Sequence, residues 1–99
     1  EYRNATHNLQ RAGYKVDYIL THTAPENTVR YMASLDSGIK YLETEEKPLT
    51  GFLQWVEDVT EYDKWYFGHF HIDEELWKNQ YALLGGIRNL NTGELVRYY

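Results

Sequence analysis

Lys64-Trp65-Tyr66-Phe67-Gly68-His69-Phe70-His71 decides how this chain is read. Three consecutive aromatic residues after Lys64 favour a pleated, buried strand, and Gly68 ends it. The histidines then stand at the strand's carboxyl end, where open α/β sheets gather ligands because loops from separate strands meet there. In an extended segment successive side chains alternate. His69 and His71 would therefore share one face, their Cα atoms roughly 6 to 7 Å apart, while Phe70 points the opposite way into packing. Two imidazoles so placed would converge on one metal ion or on a pair about 3.5 to 4 Å apart, and Gly68 leaves room for that approach.

Upstream, residues 16–21 (Val-Asp-Tyr-Ile-Leu-Thr) are almost continuously apolar and read as a second strand, buried on both faces. It delivers His22 to its own carboxyl end, so His22, His69 and His71 form the candidate metal-ligand set. The structural reading of a strand-end histidine is a hydrogen bond to a neighbouring carbonyl, and His7, on a helical pattern, reads as a surface residue. Between the two strands Pro25 stops the first. Residues 26–35 then form a short helix with Val29, Met32 and Ala33 inward. Residues 36–47 are polar, contain Glu43-Thr44-Glu45-Glu46, and read as a loop or lid. Pro48 suits a first helical position, and Leu49, Phe52, Leu53, Val56 and Val59 mark an amphipathic helix to about Thr60.

At the start, Ala5, Leu9 and Ala12 predict a helix over residues 2–11, with Gly13 as a left-handed cap. After His71 the pattern changes to antiparallel strands over residues 72–77, 80–87 and 94–98. Lys78-Asn79 and Asn91-Thr92-Gly93 are the turns. The fold class is therefore α/β: buried strands with flanking helices, followed by antiparallel hairpins.

Ninety-nine residues, 42% apolar, suffice for at most one small domain. No apolar run approaches the ~18 residues of a membrane span. The absence of cysteine excludes a disulfide framework and any thiolate metal site, so a metal must use His, Asp, Glu or Asn; a cytoplasmic location is the expectation. Fifteen acidic against ten basic residues leave a net charge of −5 and no basic stripe, which makes nucleic acid a poor partner. Neutral imidazole selects manganese, iron, cobalt or zinc over calcium. Four histidines in a chain of this length produce an H-x-H triplet by chance in roughly one case in six. A preceding glycine lowers that to around one in a hundred, so the motif points to ligation. Three imidazoles also match a single zinc site.

Gly68-His69-Phe70-His71, together with His22 in Thr21-His22-Thr23-Ala24-Pro25 after a strand, resembles the C-terminal half of the calcineurin-like metallophosphoesterases. In that family a lone strand-end His is followed by a G-H-x-H motif. The resemblance extends over most of the chain, since a helix between the two strands and a hairpin after them keep the family's order. It implies that His22 and His69 bind one metal ion and His71 the other, with Thr23 and Gly68 bordering the site. It also implies hydrolysis of a phosphate ester by a water that bridges two ions, within an αββα sandwich of which residues 1–99 are the C-terminal fragment.

The family's upstream D-x-H, G-D-x-x-D and G-N-H-D/E motifs are absent. No catalytic residue is expected within these residues, and the isolated fragment would be inactive while the intact parent is the enzyme. Asp17 lies at the wrong end of its strand to substitute, and Asp73-Glu74-Glu75 reads as a solvated face. The start on Glu1 rather than Met agrees with a cut inside a longer protein. The missing N-terminal half is then a partner, and the faces it would cover predict self-association. Two alternatives stand beside this reading. One is a non-catalytic interaction module whose aromatic surface is formed by residues 65–67, Trp77 and Tyr81. The other is a regulatory zinc module.

Overall fold

The computed structural model describes residues 2–35 and 47–98. It is a mixed α/β chain with three helices and two sheets among these residues. The order is α1 (Tyr2–Arg11), β1 (Tyr18–Thr21), α2 (Glu26–Leu35), α3 (Lys47–Val59), β2 (Lys64–Phe67), β3 (Glu74–Glu75), β4 (Gln80–Ala82), β5 (Gly86–Arg88) and β6 (Leu95–Tyr98). Two compact units result: residues 1–16 with 24–61, and residues 17–23 with 62–99. The expected lid over residues 36–47 lies, but for Lys47, outside the described residues. No described helix is long and apolar enough to cross a membrane.

The first unit is helical. α1 ends where predicted, and Gly13 adopts the left-handed conformation (φ 69°) that glycine reaches without a Cβ penalty. In α2, Val29 and Met32 are buried as the spacing predicts, whereas Ala33 is only half-buried. α2 packs on α3, whose buried positions are Thr50, Leu53 and Val56, and the Gln54 side chain accepts a bond from the Asn27 amide in the first turn of α2 (2.9 Å). Tyr2 stacks on Phe52 with ring centroids 4.5 Å apart, which holds α1 to α3. Gly51 lies on the exposed side of α3.

The second unit holds both sheets. The larger has strand order β1-β2-β4-β3, with β1, β2 and β4 mutually parallel and β3 antiparallel to β4. β2 is its buried centre, with Trp65, Tyr66 and Phe67 at 0%, 4% and 1% exposure. β1, expected to be buried on both faces, is instead an edge strand: it begins at Tyr18, and Leu20 is 70% exposed. Continuous apolarity predicted burial of both faces, but the Leu20 side chain is left largely uncovered among the described residues. Lys78 and Asn79 (φ 53° and 58°) make the two-residue turn between β3 and β4 in the doubly left-handed form that matches strand twist.

Residues 80–87 are not one strand, as expected, but two. The break at residues 83–85 is held by Asp73, whose carboxylate accepts bonds from the Leu84, Gly85 and Gly86 amides (2.7, 2.9 and 3.1 Å). Asp73 is thus a structural acceptor rather than part of a solvated acidic face; Glu74 and Glu75 are exposed as predicted. β5 pairs antiparallel with β6. The turn joining them meets the larger sheet through the Tyr66 hydroxyl, which donates to the Leu90 carbonyl (2.7 Å), and through the Tyr18 hydroxyl, which donates to Asn91 Oδ1. Tyr66 also stacks on Tyr81.

Candidate metal centre

Parallel pairing of β1 with β2 aligns their carboxyl ends, Thr21 opposite Phe67. The ladder continues one residue further, because the Gly68 amide donates to the His22 carbonyl (3.2 Å). This register brings His22 and His69 together: their ring centroids are 4.7 Å apart and the rings are inclined at 59°. Both side chains lie in the second unit, and both are exposed. Two imidazoles sharing one tetrahedral ion, with nitrogens at 2.0–2.1 Å from it, have centroids about 5 Å apart. The observed spacing fits that donor pair.

His69 and His71 do not alternate along an extended strand, as the spacing rule predicted. Both have left-handed backbones, with φ 74° and 58°. The Phe70 amide donates to the Gly68 carbonyl (2.9 Å), which makes His69 the apex of a γ-turn of the rare positive-φ form. The turn swings His69 toward His22. Phe70 packs edge-on against Phe67, the inward role expected of it. His71 is exposed, and no group of three His, Cys, Asp or Glu side chains able to hold an ion forms among the described residues.

Gly68 is not required by sterics. A Cβ there would meet the His22 and Leu83 carbonyl oxygens at 3.9 and 4.0 Å, ordinary contact distances. Thr23 is fully buried, and its hydroxyl has no hydrogen-bond partner among the described residues. His7 is exposed on α1, as predicted. Asp17 sits before β1, where its carbonyl accepts from the Asp63 and Lys64 amides, at the opposite strand end from the histidines.

Sequence reasoning did not connect Thr21 with Trp65. The buried Trp65 indole donates its Nε1–H to Thr21 Oγ1 (2.9 Å), and that hydroxyl donates in turn to the Thr23 carbonyl (2.6 Å). A fully buried indole N–H without an acceptor costs about 1–3 kcal/mol, so Trp65 demands such a partner. That demand was the available signal. Of the aromatic surface considered as an alternative, residues 65–67 and Tyr81 are buried, which leaves only Trp77 partly exposed.

No protein-family model matches the chain, and no curated protein or solved structure matches it significantly.

Proposed function

We propose that this chain supplies histidine metal ligands to a metal-dependent phosphoesterase, as the C-terminal part of its catalytic domain. The observation that carries the reading is the His22–His69 pair, 4.7 Å between centroids at the aligned ends of adjacent parallel strands. It is supported by the backbone at His69 and His71. Left-handed φ favours glycine, yet histidine occupies both positions.

In this reading His22 and His69 hold one ion and His71 contributes to a second, each ion being manganese, iron, cobalt or zinc. When bound, such ions supply Lewis-acid polarisation of a phosphoryl oxygen and activation of water. The chain's own contribution is placement. The Gly68-to-His22 backbone bond sets the two ring-bearing segments side by side, and the γ-turn points His69 across the gap. The remaining ligands, the bridging carboxylate and the proton donor belong to the N-terminal half of an αββα sandwich, so these residues alone are inactive. Without that half they self-associate.

Metal titration tests the reading. Wild type should bind zinc or manganese more tightly than a His69→Ala/His71→Ala double variant by at least about tenfold in Kd. Equal, weak binding by both would refute it. A reading frame upstream of Glu1 that lacked D-x-H and G-N-H motifs would remove the phosphoesterase assignment while leaving metal binding untouched.

A further inference from the structure

His22 is held from both sides. Its own carbonyl accepts the Gly68 amide, and the next carbonyl, Thr23, accepts the Thr21 hydroxyl at 2.6 Å. Thr21 Oγ1 is in turn held by the indole of Trp65, the most central residue of β2, with 0% exposure. The hydroxyl therefore ties the turn after β1 to the rigid core of the sheet. A hydroxyl has one proton to give and lone pairs to receive, and here both capacities are used along one path.

We propose that Thr21 is a positioning residue for the His22 imidazole: through the path Trp65 Nε1 to Thr21 Oγ1 to the Thr23 carbonyl, it fixes the turn that holds His22 against His69. The proposal rests on the metal-ligand reading only for its effect on affinity. Its geometric part concerns the metal-free chain. With the strut removed, the residue 21–23 turn keeps the Gly68 bond and the buried Thr23 but loses its tie to Trp65, and the separation of the two rings is no longer fixed.

The experiment compares wild type, Thr21→Ser, Thr21→Val, Trp65→Phe and Thr21→Val/Trp65→Phe in the full chain. The double variant removes the donor along with the acceptor, so no indole N–H is left unpaired, and Trp65→Phe alone, which should keep the NOEs, controls for the cavity that the smaller ring leaves in the core. Two readouts are used: proton NOEs between the His22 and His69 rings without metal, and cobalt(II) affinity from visible absorption. Wild type and Thr21→Ser should show the NOEs. The Val-containing variants should lose them and bind cobalt about tenfold more weakly, the lower end of the range for outer-shell partners. Retained NOEs and unchanged cobalt affinity in the double variant would overturn the proposal and leave Thr21 a purely structural residue. Loss of the NOEs in a protein whose wild type binds no cobalt would uphold the positioning role and sink the metal reading instead.

Discussion

Replacing His71 separately by Gly and by Ala measures the backbone conformation that sets the turn after β2 apart from an ordinary strand end. Both changes remove the imidazole, which is exposed, so lost side-chain packing contributes little to the difference between them. At φ 58° alanine bears the Cβ penalty of the left-handed region, about 1–2 kcal/mol, whereas glycine bears none. Glycine loses about 0.5–1 kcal/mol more chain entropy on folding. The glycine variant should therefore be the more stable by about 0.75 kcal/mol, the difference between the midpoints of the two ranges. Gly51 provides the opposite case, since it lies inside α3 and a Cβ added there would meet no atom within 4 Å. There, Ala should be favoured by about 0.5–1 kcal/mol over Gly. Urea denaturation at unchanged m resolves both differences. An alanine at residue 71 as stable as glycine, with the expected gain at residue 51, would show that the backbone at residue 71 is not left-handed and stores no strain.

Two further outcomes follow from the second unit. Gly93 combines φ 77° with a position where a Cβ would lie 2.5 Å from Tyr81 Cζ, so Gly93→Ala should cost upwards of about 2 kcal/mol, while Gly68→Ala stays within about 0.5 kcal/mol of wild type; paired thermal melts decide, and a neutral Gly93→Ala would contradict the Tyr81 packing. For Asp73, partial desolvation pushes its carboxyl up. Its three backbone donors and Arg88 outweigh that, so its pKa lies below the ordinary carboxylate value. A depressed folded-state value means stability present above the unfolded pKa of about 3.9 and lost as pH falls through the folded value. Asp73→Asn should flatten the acid limb of the stability profile in that window, and an acid limb identical to wild type would rule the linkage out.

Helices were the most legible part of the chain because their signals are local. Apolar spacing and the Gly13 cap located α1, and Pro25 with Val29 and Met32 located α2. β2 was legible from its aromatic run. What the sequence hid was pairing. The Lys78-Asn79 turn announces that β4 follows β3 in a hairpin, but it says nothing about the other edge of β4, which takes β2 in parallel. Burial of β1 was overread for a related reason, since apolar content does not reveal which face of a strand another element covers. Asp73 looked solvated because its acceptor role needs residues 84–86 to return to it, a contact between segments separated in sequence.

The candidate site shows the same limit and a way past it. A period-two rule placed His69 and His71 on one face, and two left-handed residues defeated the rule. Elsewhere among the described residues positive φ is met with glycine, at Gly13 and Gly93, or with a tight hairpin turn at Lys78-Asn79. Tyr14 extends the Gly13 cap. His69 and His71 serve neither a cap nor a two-residue hairpin. Histidine visits the left-handed region more readily than most residues, so the cost at His71 is nearer about 1 kcal/mol than 2, whereas the γ-turn at His69 is of the strained form. That cost is offset by no observed packing at the exposed His71. It is intelligible if the imidazoles are what the turn exists to present, with His22 held opposite by Thr21 and Trp65. Rigid presentation of rings is what a shared ion requires, because donors already in place lose little freedom when it binds.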